Sequence, residues 1–504
     1  MAGTSTQKPP YGIIAILMIG AFISFLNNTF LNVALNSIMK DLHVNMATVQ
    51  WLTTGFMLIN GIMIPATAFL IQRFSVRRLF LSAVGLFTIG TVLAAIAPEF
   101  PILLIGRMIQ ASGSSILMPL LMNVMLVSFP VSKRGTAMGT LGLILLFAPA
   151  IGPTLSGWIV QQFNWRALFY LIAPIAATVF ILGFFLLKDN KGKTDIRFDT
   201  LSFILSSLGF GGLLYGFSMA GNAGWTSMEV TVSLIVGFIT LIIFIFRQYK
   251  LEQPMLNFRV FQYPMFSLAS VITIIVNMAL FSGFMLVPVY SQSVVGLSPM
   301  ESGLVMLPGA ILNGIMSPIT GKLFDKYGGR ILAVSGLSIL AVTTFLFSQL
   351  SFETTFTEIA LLHMARMFGM SMVMMPTTTN GLNQLPSYLY PHGTAMNNTL
   401  NQVSGAVGTA LLITIMSNRQ ESYEKILLNR AYDKANGIIT DDQKVHIQLE
   451  ALLEGINYTF YISTFFIIAA LFLAFFMKRA KPLKDLNGKN ENSKQHTAKA
   501  ASEH

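Results

Sequence analysis

Residues Ala148–Trp158 read APAIGPTLSGW and lie inside an apolar run from about Gly135 to Val160. That run is long enough to cross a bilayer. Two prolines and two glycines are unusual in a helix that only has to span. Pro149 and Pro153 each remove a backbone donor and bend a helix. Gly152, Ser156 and Gly157 let a neighbouring helix approach closely. Two readings are open: a kinked packing helix, or a bent, close-packed helix at a moving interface between two halves of a larger bundle.

The composition supports a bundle in a membrane. The 504 residues are 54% hydrophobic and only 11% charged, with a mean hydropathy of +0.66. A soluble domain carries about a quarter charged residues. The chain has no cysteine, so disulfides, thiol nucleophiles and Cys-ligated metals are excluded. Its six histidines show no metal-ligand spacing. The first apolar run, near Tyr11 to Leu35, is too long for a signal-peptide core and is expected to be retained.

Fourteen apolar segments of spanning length follow one another. With the amino terminus in the cytoplasm, 23 of the 32 Lys and Arg fall in cytoplasmic segments, and five of the remainder lie in one long outer loop, 417–456. The positive-inside rule then explains the net charge of +11 without invoking nucleic acid. The expected organisation is a cytoplasmic N-terminus (1–12), a six-helix half (13–187), two linking helices with their flanking loops (188–263), a second six-helix half (264–477) and a disordered cytoplasmic tail (478–504). Loop 417–456 is read as a surface connector, with short amphipathic helices or a lid as alternatives.

The halves repeat. Gly135–Met138 and Gly393–Met396 are both GTAM, 258 residues apart, and Arg107-Met108 recurs as Arg366-Met367, each with a glutamate eight residues earlier (Glu99, Glu358). Arg73, Arg77 and Arg78 in the second-to-third loop match the basic stretch Gly321–Arg330. Parallel six-helix repeats with basic loops at matching places suit a rocking secondary transporter whose substrate sits between the halves.

The motifs also resemble a known family, the fourteen-span drug:proton antiporters of the major facilitator superfamily. Ala148–Trp158 is similar to its fifth-span antiporter motif, and Asn164-Trp165-Arg166 follows it as is typical. Arg107, Gln110 and Gly113 match its fourth-span motif, and Leu26–Leu35 its first. Pro288, Tyr290, Gln292 and Gly296–Pro299 match its ninth-to-tenth connection, and Gln50–Gly55 with Pro65 resembles the lincomycin-resistance type. The resemblance implies an all-α, fourteen-span fold, no enzymatic activity, and proton-driven export in which Arg107 aids coupling and Asp325 with Arg330 serves an inner gate, alongside Arg77 and Arg78. The chain departs from the pattern in three places. Asn27 and Asn28 stand where a carboxylate is usual, Ala68, Gln72 and Ser75 replace Gly, Asp and Gly, and Asn36 replaces proline.

No Asp or Glu lies at the centre of any expected span. Intramembrane ions are costly and functional by default, and only Arg107 and Arg366 qualify, with His363 as a titratable third. Arg107 either snorkels to the outer headgroups or faces a cavity. His363, three residues before Arg366, is either a proton site or a satisfied histidine. Glu358 and Glu301 are alternative proton acceptors or simply helix-start carboxylates. Asn27, Asn28, Asn32, Asn277, Asn313, Asn397 and Asn401, with Arg366, are the candidate cavity lining. The expected cargo is an amphipathic small molecule, neutral, zwitterionic or anionic before dicationic. An exporter of an endogenous lipid, fatty acid or metabolite is the alternative. No metal or cofactor beyond the proton gradient, no nucleic-acid partner and a monomer in the lipid bilayer of the plasma membrane, with both termini cytoplasmic, complete the expectation.

Overall fold

The computed structural model describes residues 11–188, 198–434 and 440–480. Among them the chain forms fourteen α-helices, a few single-turn helices and no strand. In order they are α1 (Tyr11–Asp41), α2 (Met46–Arg73), α3 (Val76–Ala95), α4 (Phe100–Ser128), α5 (Arg134–Gln162), α6 (Arg166–Leu186) and α7 (Thr200–Ala223). Then come α8 (Met228–Lys250), α9 (Pro264–Val289), α10 (Pro299–Tyr327), α11 (Gly329–Phe347), α12 (Phe356–Gln384), α13 (Tyr390–Lys434) and α14 (Asp441–Ala474). Thirteen are long and apolar enough to cross a membrane among the described residues. The fourteenth, α5, has 29 residues, but the side chains of Pro149 and Pro153, like that of Asn32 in α1, lie outside the described residues. So do residues 1–10 and 481–504.

Polar side chains set the helix starts. Asn45, Ser75 and Ser227 each accept a backbone N–H two or three residues inside the helix that follows, satisfying donors that have no intrahelical partner. Ser298 with Glu301 and Thr355 with Glu358 form reciprocal capping boxes at α10 and α12.

Packing repeats with a shift of eight helices. The pairs α1–α5, α2–α4, α3–α4 and α3–α6 recur as α9–α13, α10–α12, α11–α12 and α11–α14. Between the two six-helix groups run two seams, α5 against α10 and its counterpart, α13 against α2. The inserted pair α7–α8 packs tightly on itself through Gly209, Gly212 and Gly216 of α7. α7 also lies against both α2 and α13. One membrane face carries the basic ends of α2, α5 and α10 and the start of α9; we call it the basic face, and the other the far face.

The stretch 417–456 differs from the expected connector. α13 continues unbroken to Lys434 and α14 starts at Asp441. At 45 residues α13 is about 67 Å long, against a hydrocarbon core of about 30 Å. Its charged part is the solvated extension of a spanning helix, so hydropathy marks only the membrane-embedded length. Arg419 of α13 donates to Glu454 Oε1 of α14 from Nε (3.0 Å) and Nη2 (2.6 Å), fastening the projecting hairpin.

Candidate functional site: a buried guanidinium, two seams and a cavity

Arg107 is completely buried, which excludes snorkelling. Among the described residues its charge meets neutral side chains and no carboxylate. Nη1 donates to Gln110 Oε1 (2.9 Å) and Nη2 to Asn28 Oδ1 (3.3 Å), while the guanidinium carbon sits 4.3 Å from the centre of the Phe56 ring. Gln110 is the hub. Its Oε1 also accepts from Asn27 Nδ2 (3.2 Å), and its Nε2 donates to Thr91 Oγ1 (2.7 Å). Gly90 permits this, because a Cβ there would stand 2.6 Å from the backbone nitrogen of Gln110. Arg107 Nε has no partner among the described residues. A cation desolvated without a counter-charge costs several kcal/mol, so this is a place where the fold gives up stability.

Arg366 holds the repeated position but a different environment. Its Nη2 donates to Ala279 O of α9 (3.0 Å), and the guanidinium lies beside the stacked pair of Phe347 and Phe460 rings, 5.9 and 5.6 Å from their centres. Gly283 makes room for it, since a Cβ there would lie 2.7 Å from Cζ. His363 is buried beside Gly309, with Nδ1 unpartnered among the described residues. Glu301 and Glu358 are exposed and occupied in their capping boxes.

The antiporter-type stretch packs within its own half. A Cβ on Gly152 would meet Thr29 of α1, Ser156 Oγ donates to Phe30 O (2.7 Å), and Thr29 Oγ1 donates to Ala148 O (3.3 Å). Gly157, one residue on, is half-buried. Among the described residues, the contacts of α5 with the other half run from its other end to Phe147, which lies against Gly314 of α10. A Cβ on Gly139 would stand 2.6 Å from Ser317 O of α10 and 3.2 Å from the Gly321 Cα. At the basic face Asp325 Oδ1 accepts Gly135 N (2.8 Å), and Oδ2 accepts both Thr136 N (2.8 Å) and Thr136 Oγ1 (2.6 Å). A carboxylate across the first turn of α5 answers both its orphan donors and its dipole. Beside it Arg134 Nη1 donates to Asn383 Oδ1 (3.2 Å) and Tyr390 OH (2.8 Å) of the other half.

The gate residues expected alongside Asp325 are elsewhere. Arg330 is exposed at the start of α11, Arg78 is exposed, and Arg77 Nη2 donates to Phe184 O (2.9 Å) inside the first half. At the second seam Gln72, the counterpart of Asp325, meets His392 Nε2 at 3.1 Å, and His392 Nδ1 accepts Asn257 N from the segment after α8 (3.1 Å). On the far face the Asn164-Trp165-Arg166 motif finds a partner the sequence does not flag, Asp41. Its Oδ2 accepts Arg166 Nη1 (2.6 Å) and Trp165 Nε1 (3.0 Å). These two donors, Arg166 first, hold its carboxyl below the usual carboxylate range.

A cavity of about 450 Å³ opens in the far half of the second seam. Its walls include Gln50, Thr54 and Met57 of α2, Gln402 of α13, and Leu214 and Phe217 of α7. None of its lining residues is ionisable among the described residues. Of the asparagines expected to line it, the side chain of Asn32 lies outside the described residues and the others are engaged or placed elsewhere: Asn27 and Asn28 in the Arg107 cage, Asn277 to Asn401 (2.8 Å), Asn313 to Met367 Sδ (3.8 Å), and Asn397 buried in α13. Glutamines and hydroxyls on α2, α7 and α13 line it instead. Their spacing, a polar residue per turn in apolar helices, is too common in membranes to stand out.

Two packing-related halves, a closed basic face and a cavity between them point to a transporter. A model of the Major Facilitator Superfamily matches residues 17–409. The chain belongs to the Major Facilitator Superfamily. Among its relatives, the "uncharacterized MFS-type transporter YhcA" of Bacillus subtilis is 45% identical, covering 96% of each chain. The "lincomycin resistance protein LmrB" of the same organism is 44% identical over 95% of this chain and 98% of its own. The "multidrug export protein EmrB" of Haemophilus influenzae is 28% identical over 80% of both. The solved structure of the human organic anion transporter MFSD10 shares the fold, with a TM-score of 0.64 over 93% of this chain and 100% of that one at 10% identity. The transporter is thus a multi-pass membrane protein with drug-resistance relatives.

Proposed function

We propose that the chain exports amphipathic small molecules across the plasma membrane in exchange for protons, as a monomer working by alternating access. The observation that carries this reading is the asymmetry across the membrane. The basic-face ends of the halves are tied by Asp325, while a neutral, drug-sized cavity opens between them toward the far face. With the basic face in the cytoplasm, as the distribution of Lys and Arg favours, this is the outward-facing half of the cycle. Release of Asp325 from α5 begins the return.

Arg107 is the coupling element in this reading. Its charge lacks a carboxylate, so it opposes a second positive charge nearby until the halves move and water or an anionic group relieves it. His363, next to the second buried guanidinium, carries the proton.

Drug-triggered proton movement in inverted vesicles tests this. Chloramphenicol or lincomycin added to vesicles bearing the wild-type chain should release protons, and Arg107→Ala and His363→Asn should abolish the release at equal membrane abundance. Export that persists with no proton movement, or is unchanged in Arg107→Ala, refutes the coupling scheme.

A further inference from the structure

α7 and α8 differ in a way that a simple tether does not require. α8 turns Ile235, Phe238, Ile239, Ile242 and Phe246 outward, each at least 38% exposed, as a lipid-facing helix does. α7 has two occupied faces. Gly209, Gly212 and Gly216 take the close approach of α8. Leu214, Phe217 and Ser218, at i, i+3 and i+4 and so on one face, line the cavity in the second seam.

The helix is fixed there from both halves. The Leu214 side chain fills the space beside Gly61 of α2, and Tyr215 stacks on Trp51 of α2 with ring centres 5.9 Å apart. Trp225, just past the end of α7, donates from Nε1 to Thr414 Oγ1 of α13 (2.6 Å). Ala220 packs with Ala410 of α13. α2 and α13 belong to opposite halves, so any rocking that reshapes the cavity changes the wall that α7 provides.

We propose that the inserted helix α7 is part of the substrate site of this transporter, and that Leu214, Phe217 and Ser218 set which compounds it takes. This rests on the export reading and sharpens its substrate class. Among the described residues the lining offers apolar surface from Met57, Met285, Leu214 and Phe217, with the amides of Gln50 and Gln402 and small hydroxyls, and no ionisable group. It suits an uncharged amphiphile: an apolar body against the methionines and α7, and hydroxyl or amide groups toward the two glutamines. Methionine surfaces adapt to varied shapes. A permanent organic cation finds no counter-charge there and would be desolvated unpaired.

The chain has no cysteine, so single thiols report cleanly. Ser218→Cys and, as a control on the exposed start of α8, Met228→Cys are made in the full-length chain. Each is labelled with a maleimide in whole cells. Chloramphenicol at twice its half-saturating concentration should slow labelling of Ser218→Cys about threefold, leave Met228→Cys unchanged, and be matched by no effect of ethidium. In the same strain, Phe217→Ala should change the rank order of exported compounds.

If no compound protects Ser218→Cys while the wild-type chain lowers chloramphenicol accumulation, the α7 proposal is overturned and the export reading stands. If ethidium alone protects, the neutral-substrate assignment is overturned. A wild-type chain that lowers the accumulation of neither compound overturns the export reading itself, and the α7 proposal with it.

Discussion

The two seams between the halves occupy equivalent positions in the repeat yet are built from opposite materials. In the α5–α10 seam, backbone meets backbone, as the Gly139 and Gly321 contact shows, and a carboxylate spans the end. In the α2–α13 seam the tie is a neutral one, Gln72 to His392, and a third helix and a cavity stand where close contact would otherwise be. Duplication supplied two copies of one hinge. Divergence made the first a tight pivot and freed the second to hold cargo. Cavities need missing contacts, and the second seam supplies them between α2, α7 and α13.

The largest expected effect separates the seams by backbone approach. Gly139→Ala places a methyl 2.6 Å from Ser317 O, where α10 cannot retreat without opening the pivot. Overpacking of this kind costs about 1–3 kcal/mol, and a cost of that size falls on the basic-face-closed state. Export by Gly139→Ala should drop roughly tenfold, since 1.4 kcal/mol is a factor of ten. Gly61→Ala meets only the end of the Leu214 side chain and should change export little, while shifting compound preference through α7. Equal losses in the two variants would mean that the seams are mechanically alike.

Asp325→Asn comes next. It keeps the shape but replaces one of the two accepting oxygens with an NH2 group, so one set of donors at the start of α5 loses its acceptor and the bond that remains is neutral, about half as strong. The α5 dipole also loses its carboxylate, worth up to about 2 kcal/mol in a partly buried setting. Export should fall by several fold, and a thiol introduced at Thr136 should become more reactive from the basic face. Unchanged thiol reactivity would remove Asp325 from the closure.

Much of this architecture was legible beforehand, for identifiable reasons. Span count follows from hydropathy because lipid demands it at every crossing. The duplication showed in GTAM and in the two Arg-Met pairs because both half-bundles solve one packing problem. Asp325 was legible through its loop pattern. A helix end was one of the partners its pattern allows, but which helix was not legible, because the carboxylate pairs with backbone N–H groups, which any residue supplies. The role of Ala148–Trp158 was half legible. Its small residues do admit a neighbour, but Gly152 and Ser156 admit α1 of the same half, while the closest backbone approach between halves is at Gly135 and Gly139, at the start of the helix. The cavity was hardest to read. Asparagines stand out in a sequence, yet a buried asparagine is usually held by another group, as Asn277 is by Asn401. The wall on α7 came from helices that a six-plus-six repeat treats as an insertion.

The smallest predicted effect addresses the neutral tie directly. Gln72→Ala removes the amide that meets His392 Nε2 and also donates to Ala68 O, and leaves Asn257 on the other ring nitrogen. A neutral hydrogen bond contributes about 0.5–1.5 kcal/mol, and a partly exposed one falls toward the low end, so export should fall about twofold. Measured beside Asp325→Asn in the same vesicles, the ratio of the two losses gauges how far the seams have diverged. A loss in Gln72→Ala as large as that in Asp325→Asn would show that the second seam is also a closing element, and that cargo and closure share one interface instead of being divided between two.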